Sequence, residues 1–553
     1  MLSGMHPSVA ERLAKLAPDQ RAAATAEDGP VLCVAPAGSG KTTTLVARVA
    51  WLVDRGVAPT AVTVVAFNKR AAEELVDRLD AALKPLGARA SGEGGVRVRT
   101  FHALGREVLA EAGVDVAALV DRDAVVRALW PEMPAADRGR LDLAFSRLKL
   151  DLRVSPEDVA ADEAAGPVAR AWVTYERSLR DDGALDFDDL VLRALRLLEG
   201  DAVALARWRG RCQQLLVDEA QDLDRTQLDL ALTLAAPANR VFLVGDDDQT
   251  VYGWRLADVR RVLSLAAALP GLRRVDLETN YRCPPPVVER AVRLVEQNRE
   301  RFVKRIVAGP RNAGRLVLAP DASDDVVRVA RAMASWPDDG STRAALARTN
   351  RELLVPVVVA VERGWAFRAP DIALPIEDPR LDGLLERARA AGDSDPLVAL
   401  GRLRADCRAA EAANPPENPD EHTEADLTTA LLGWAAPLPS LAALRDAVAR
   451  FRERLHALRR DDAPLTLATA HGTKGLEWDH VVVLADGFPG RRSISDAAEP
   501  GRALEEERRL AYVAWTRARR SLTLLFDPAA PSRFLLEAFD SDELGLGERR
   551  RAA

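Results

Sequence analysis

Cysteine is scarce. Cys33, Cys212, Cys283 and Cys407 are the only four in 553 residues, and no two form a C-x-x-C pair. That spacing argues against a disulfide scaffold or a structural zinc site and fits a reducing, cytoplasmic setting. A long apolar run is missing too. The most hydrophobic stretch, Leu353–Val361, contains Pro356 and falls far short of the roughly 20 residues a membrane span needs. The opening MLSGMHPSVAERLAKL has no apolar core of signal-peptide length. Positive charge is not in excess, since 77 Lys and Arg stand against 84 Asp and Glu, a net charge of −7. A uniformly basic nucleic-acid coat is thereby excluded. A local basic groove is not, because net charge says nothing about distribution. No internal repeat of solenoid length is visible. The remaining balance, 48 % apolar and 29 % charged, is that of a folded chain. At about 150 residues per domain the length corresponds to three or four domains.

What is present is an alternation of short β-branched runs with helical stretches. Val31–Ala35, Thr63–Phe67, Val96–Thr100, Leu215–Val217 and Val241–Gly245 read as strands that end where polar residues begin. A second series runs through Val275–Leu277, Ala344–Ala347, Leu465–Thr469, Val481–Ala485 and Leu522–Phe526. The pattern predicts an α/β protein with two parallel-sheet domains, which bind ligands at the carboxyl ends of their strands. Two stretches break the alternation and read as mainly helical insertions, 104–190 and 366–462. Within the second, the Pro-rich NPPENPDEH at 414–422 reads as an exposed loop, and the closing GERRRAA as a basic tail.

The segment VLCVAPAGSGKTTT (31–44) is a strand, a Gly-rich loop and a Lys-Thr pair opening a helix. A triphosphate calls for this arrangement. Small residues let backbone N–H groups curl around phosphates, Lys41 supplies a point charge and Thr42 a hydroxyl for Mg²⁺. The loop itself is Ala37, Gly38, Ser39 and Gly40, with Thr43 following the Lys-Thr pair; the strict pattern wants Gly where Ala35 stands. The competing reading is an ordinary Gly-rich turn between strand and helix. LLVDEAQD (215–222) adds acidic residues at the end of a hydrophobic strand. Asp218 would hold Mg²⁺ through water and Glu219 would polarise the attacking water, although an acidic helix cap has the same look. ATP and Mg²⁺ are the cofactors implied.

From here the chain resembles the UvrD/Rep/PcrA family of superfamily 1 DNA helicases, by ordered motifs across nearly its whole length. APDQRAA (17–23) resembles the adenine-reading motif with Gln20, and AFNKRAAEEL (66–75) the motif with base-stacking Phe67. RTFHALG (99–105) resembles a strand-contacting motif carrying Thr100 and His102, and DFDDL (186–190) is a further marker. VGDDDQTVYGWR (244–255), LETNYR (277–282), ATAHGTKGLEWDHVVV (468–483) and EEERRLAYVAWTRA (505–518) resemble motifs III to VI. The QxxGRxGR-type ending of superfamily 2 is absent. The resemblance implies that Gln249 senses the γ-phosphate, Arg282 and Arg517 act as arginine fingers from the second sheet domain, Tyr281 stacks on adenine and Glu477 touches ribose. Tyr252, Trp254, Arg255 and His471 join Phe67, Thr100 and His102 at DNA. Independently of the family, Gln249 lies next to Tyr252 and Trp254 and can pass on the presence of phosphate, and an exposed Trp suits base stacking. Trp254 as a core residue and His471 as a core or capping residue are the alternatives.

The resemblance implies two RecA-like P-loop domains. The first comprises 1–103 and 191–276 around the insertion 104–190. The second comprises 277–365 and 463–540 around a reduced 2B-like insertion at 366–462, with 541–553 as the tail. The chain departs from the family at Thr43, where many relatives carry Arg, at Lys69–Arg70–Ala71–Ala72, where the usual run is Asn-Lys-Ala-Ala, and at Leu256, where Gly is common; a fused nuclease is not expected. The expected activity is an ATP-driven 3′→5′ motor on single-stranded DNA and its junctions with duplex, in repair, replication or recombination. A loading protein is the expected partner, and no membrane. A translocase that strips proteins from DNA, a scaffold with a dead ATPase and a nucleotide kinase are the rivals. The short 366–462 insertion is expected to be replaceable by a linker without loss of single-strand-stimulated ATPase.

Overall fold

The computed structural model describes residues 4–310, 313–370, 372–392, 395–413, 423–495 and 497–546. The loop expected at 414–422 and the tail at 547–553 lie outside them. Val31–Val34 (β1) is buried along its whole length because both of its faces are covered. Its odd residues Val31 and Cys33 enter one apolar cluster with Leu45, Val49 and Leu79, and its even residues Leu32 and Val34 enter another with Leu104, Leu195 and Leu230. That two-sided burial is why these strands read as unbroken apolar runs. The same sheet takes in Val62–Ala66 (β2), Arg97–Thr100 (β3), Gln214–Val217 (β4), Val241–Gly245 (β5) and Arg273–Asp276 (β6), in the order β3-β2-β4-β5-β1-β6. Every pairing is parallel, with Val31 opposite Phe242 on one side and Arg273 on the other.

A two-stranded parallel ladder, Thr279–Asn280 (β7) with Val307–Ala308 (β8), follows. The second large sheet has Arg315–Pro320 (β9), Arg343–Ala347 (β10), Phe367–Arg368 (β11), Leu465–Thr469 (β12), Trp478–Leu484 (β13) and Ala518–Phe526 (β14). Its order is β11-β12-β10-β13-β14-β9, again parallel throughout. Two six-stranded parallel sheets with helical insertions are the expected architecture of tandem RecA-like domains.

The chain divides into two compact units. One comprises 1–131, 141–313 and 497–512, and the other 132–140, 314–496 and 513–553. Three features differ from the sequence reading. The run containing Val275 forms β6 and pairs with β1, so it belongs to the first sheet and not the second. Residues 277–313 and 497–512 pack in the first unit, although the sequence assigns them to the second domain. The insertion at 366–462 is helical as expected, with helices Arg380–Ala390, Pro396–Ala413, Glu424–Ala435 and Leu441–Leu458. It is not an appendage, because Leu384, Leu400, Leu431 and Leu444 share one continuous apolar cluster with Ala345, Leu467 and Val482 of the sheet. The basis for a harmless linker replacement is therefore lost. β9 and β11 escaped the sequence reading because they are edge strands, one half-buried and one only two residues long.

Candidate nucleotide and nucleic-acid sites

In the first unit the loop between β1 and the helix Lys41–Asp54 turns through Gly38 and Gly40, both left-handed at φ 69° and 84°. Neither position has room for a side chain. A Cβ on Gly38 would come within 2.6 Å of Asn280 Oδ1, and one on Gly40 within 2.6 Å of Gln20 Nε2. The glycines thus let two other segments close on the loop. Gln20, in the helix Pro18–Ala24, donates from Nε2 to Ser39 O at 2.7 Å. Arg48 anchors the end of that helix by donating to Ala26 O at 2.9 Å, with its guanidinium 4.8 Å from the centre of the Phe242 ring. From the other side Tyr281 N–H donates to Gly38 O at 2.8 Å. Asn280 Oδ1 accepts the N–H groups of Arg282 and Cys283, both at 2.8 Å. Tyr281 and Arg282 therefore sit on the first unit against the phosphate loop, where the sequence places them in the second domain.

Lys41 Nζ lies 2.9 Å from Glu219 Oε1, and both side chains are largely buried. Glu219 follows Asp218 at the end of β4 and adopts φ 52°, a left-handed backbone uncommon outside glycine and the kind of strain that clusters at functional sites. Its N–H donates to Asp218 Oδ1 at 2.9 Å, and Asp218 N–H donates to Val65 O of β2 at 2.9 Å. Gln221 connects this pair to the end of β5. Its Nε2 donates to Glu219 Oε2 at 2.7 Å and its Oε1 accepts Asp246 N–H at 2.9 Å. Gln249 Nε2 donates to Asp246 Oδ2 at 2.7 Å. A continuous chain of contacts, Lys41–Glu219–Gln221–Asp246–Gln249, joins the first phosphate motif to the third. Ala37, Ser39, Thr42 and Thr43 complete the loop and the start of its helix.

A second group lies near the ends of β2 and β5. The Phe67 and Tyr252 rings stack with centroids 5.2 Å apart and planes 18° from parallel, and Tyr252 meets Trp254 edge-on at 6.1 Å. Trp254 is 52 % exposed and carries the Arg255 guanidinium 4.5 Å from its ring centre, so it is a surface aromatic and not a core one. Thr100 Oγ1 accepts Ala103 N–H at 3.2 Å and so caps the helix Phe101–Glu111. His102 stacks on Phe187 with centroids 3.9 Å apart, and burial, reinforced by Arg255 and opposed by Asp188, pushes its pKa down to about 4. It is neutral at pH 7 and offers a flat face rather than a charge.

His471, Glu477 and Arg517 belong to the second unit. His471 opens the short turn after β12, and Glu477 pairs with Arg519 at 3.5 Å just before β13. Arg517 is buried, donating from Nε to Val513 O at 2.8 Å and from Nη1 to Leu476 O at 3.1 Å. Sequence reasoning overlooked Gln221, Asn280 and the exposed Phe187, all inside motifs it had quoted. A polar side chain embedded in a buried motif is the signal that marks the first two, because such groups must be hydrogen-bonded.

Residues 16–270 match the UvrD/REP helicase N-terminal domain, and residues 443–527 match the UvrD-like helicase C-terminal domain. The ATP-dependent DNA helicase UvrD2 of Mycobacterium tuberculosis is 32 % identical over 95 % of this chain and 81 % of its own length. The ATP-dependent DNA helicase PcrA of Staphylococcus aureus is 31 % identical over 52 % of this chain and 40 % of its own.

Proposed function

The chain belongs to the UvrD/Rep helicase family and is an ATP-dependent DNA helicase, and we propose that it moves 3′→5′ on single-stranded DNA in repair, replication or recombination. The observation that carries the catalytic reading is the Lys41–Glu219–Gln221–Asp246–Gln249 chain behind the phosphate loop. Lys41 neutralises Glu219; a triphosphate that draws the ammonium away leaves the carboxylate free to orient the attacking water and accept its proton. Asp218 fixes the strained Glu219 backbone through the Glu219 N–H. Thr42 and Asp218 offer hydroxyl and carboxylate oxygens, the hard donors that suit Mg²⁺, which supplies charge neutralisation on the phosphates when bound. Gln249, at the end of this network, reads the γ-phosphate, and Phe67, Tyr252 and Trp254 hold bases. Thr100, His102 and Arg255 line the same strand path. By the same family likeness Tyr281 and Gln20 hold adenine, Arg282 and Arg517 act on the transferring phosphoryl, Glu477 holds ribose and His471 holds DNA.

Glu219→Gln keeps the size of the side chain and loses the acceptor charge. It should bind Mg·ATP nearly as tightly as the parent while turnover in the presence of oligo-dT falls by about 10²–10⁴-fold. Near-normal turnover would remove Glu219 from the chemistry. Unwinding of 3′-tailed but not 5′-tailed duplexes tests the polarity, and displacement of a DNA-bound protein without strand separation would favour a stripping translocase.

A further inference from the structure

Three consecutive carboxylates, Asp246, Asp247 and Asp248, follow β5, and all are buried. Like charges so close cannot all ionise out of water without cations beside them. The cations come from a segment that belongs to none of the motifs. Lys304, only 1 % exposed, places Nζ 3.0 Å from Asp246 and 2.9 Å from Asp248 and also pairs with Asp247. Arg301 grips Asp248 with two parallel bonds of 3.0 and 2.9 Å, and Phe302 N–H donates to Asp247 at 2.8 Å. Burial alone would raise Asp248, yet Lys304 and Arg301 bring it down to about 2. Burial also opposes the charge on Lys304, and the three carboxylates overcome it. Asp247 is raised, by burial first.

Asp246 is the pivot. Its Oδ2 accepts the Gln249 amide at 2.7 Å, and its Oδ1 binds Lys304 at 3.0 Å and accepts Asp248 N–H at 3.2 Å. The same segment is fastened to the helix Pro500–Trp515, where the Glu505 carboxylate accepts Arg299 N–H at 3.0 Å and Glu300 N–H at 3.1 Å. The neighbouring Glu506 accepts Gly253 N–H at 2.9 Å. The loop carrying Gln249, Tyr252 and Trp254 is thus clamped at its base by residues 301–304 and near its tip by Glu506.

We propose that Lys304, supported by Arg301, is a positioning residue for ATP turnover, holding the Asp246 carboxylate where it presents the Gln249 amide to the γ-phosphate. The inference rests on the helicase reading above. The test uses the full chain and measures kcat and KM for ATP with saturating oligo-dT, affinity for a fluorescent ATP analogue, and thermal unfolding. Lys304→Met should lower kcat at least tenfold, keep KM and analogue affinity within threefold, and add nothing to the loss caused by Gln249→Ala. Because Lys304→Met leaves Asp246 and Asp247 without their cation while Asp248 keeps Arg301, Lys304→Met/Asp247→Asn removes one of the two charges, and the Asn can still accept Phe302 N–H. This pair should regain thermal stability while kcat stays at least tenfold low. If kcat returns together with stability, if either folded variant turns over like the parent, if the loss adds in full to that of Gln249→Ala, or if neither variant folds, the proposal is overturned. A parent protein without DNA-stimulated ATPase would overturn the helicase reading and this inference together, whereas an active parent with unaffected variants overturns the inference alone.

Discussion

Lys149 and Leu431 occupy comparable places, each deep in the helical insertion of its own unit, yet they are held by different forces. Lys149 is buried among carboxylates, 2.8 Å from Asp186, 3.1 Å from Asp189 and 2.7 Å from Glu176. Arg122 adds contacts of 2.8 Å to Asp186 and 2.9 Å to Asp142, and Tyr175 O–H donates to Asp186 at 2.9 Å. Leu431 lies in an apolar cluster that runs without a break into the second sheet. Ion pairs within that insertion such as Arg387–Glu424, Arg452–Asp382 and Arg459–Glu377 keep partly exposed partners. Backbone strain divides the same way. Among the described residues the non-glycine positions with positive φ are Arg153, Glu219, Asn239 and Leu256, all in the first unit. Directional charge contacts define one geometry at the expense of desolvation, whereas apolar burial is non-directional and grows with area. The insertion of the first unit, which carries Lys149, is built for fixed geometry, and that of the second for bulk cohesion.

The sharpest way to break this comparison is to remove the second insertion. Replacing 366–462 by a flexible linker takes Leu384, Leu400, Leu431 and Leu444, and with them Phe367 of the edge strand β11, out of the cluster they share with Leu467 and Val482. The second unit should lose its cooperative unfolding transition, and limited proteolysis should degrade what remains of 314–495 and 513–540 while fragments of the first unit survive. A deletion protein with both units protected would show that the sheet holds its core alone.

Next in size is a matched pair of substitutions. Lys149→Met leaves carboxylates buried without their cation and should cost about 3–5 kcal/mol in urea unfolding. Leu431→Ala should cost about 2–5 kcal/mol through lost transfer and a cavity. Only the first site should respond to pH. The Asp186 carboxyl is held well below its ordinary range: burial would raise it, but Lys149 and Arg122 dominate. Its contribution is present above an unfolded value of about 3.9 and is lost as pH falls through the folded one. Lys149 is raised by Asp186, Asp189 and Glu176 against burial, so its share is complete below about 10.4 and is lost at higher pH. Glu176, pushed up by burial, works against the pair. Hydrogen exchange in the helices Arg122–Leu129 and Pro167–Asp181 should therefore rise below about pH 4 before exchange in Arg380–Ala390 and Leu441–Leu458 does. Simultaneous rise would mean that the ionic network contributes no separate stability.

At the surface, Trp254→Ala should weaken single-strand binding by about 1–3 kcal/mol, the range for one base–aromatic stack, with little change in unfolding. The buried Trp515 of the second unit should behave the opposite way, since Trp515→Ala should cost about 3–5 kcal/mol of stability. A Trp254→Ala protein that melts early with DNA affinity intact would make Trp254 a packing residue. The exposed Trp254, the phosphate loop and the Asp218–Glu219 pair were legible in the sequence because local backbone and chemistry coincide there. The place of Arg282 was not, because a short β-branched run such as Val275 does not state which sheet edge it joins. Leucine spacing between 380 and 455 announces helices and leaves open what they pack against. Lys304 lies in an irregular segment with no periodicity to follow, although three successive aspartates behind a buried strand already call for a buried cation.

The smallest expected effect tests whether strain in the first unit serves the site. Leu256 follows Trp254 and Arg255 at φ 66°, where the resembled family carries glycine. A β-carbon in left-handed backbone costs roughly 1–2 kcal/mol, and the half-buried Leu side chain and glycine's extra unfolded-state entropy offset part of what its removal returns. Leu256→Gly should therefore stabilise the protein by about 0.5–1 kcal/mol in urea unfolding, a net gain smaller than the strain itself. Because Arg255 N–H and Leu256 N–H bond to Tyr252 O and Gly253 O at 2.8 and 3.0 Å, the turn that presents Trp254 keeps its hydrogen bonds in the variant. Single-strand affinity should then change little if those bonds set the platform. A more stable Leu256→Gly protein that binds DNA several-fold less tightly would instead show that the leucine's restricted backbone fixes the angle of Trp254, and that this unit gives up stability for geometry at its surface as well as in its interior.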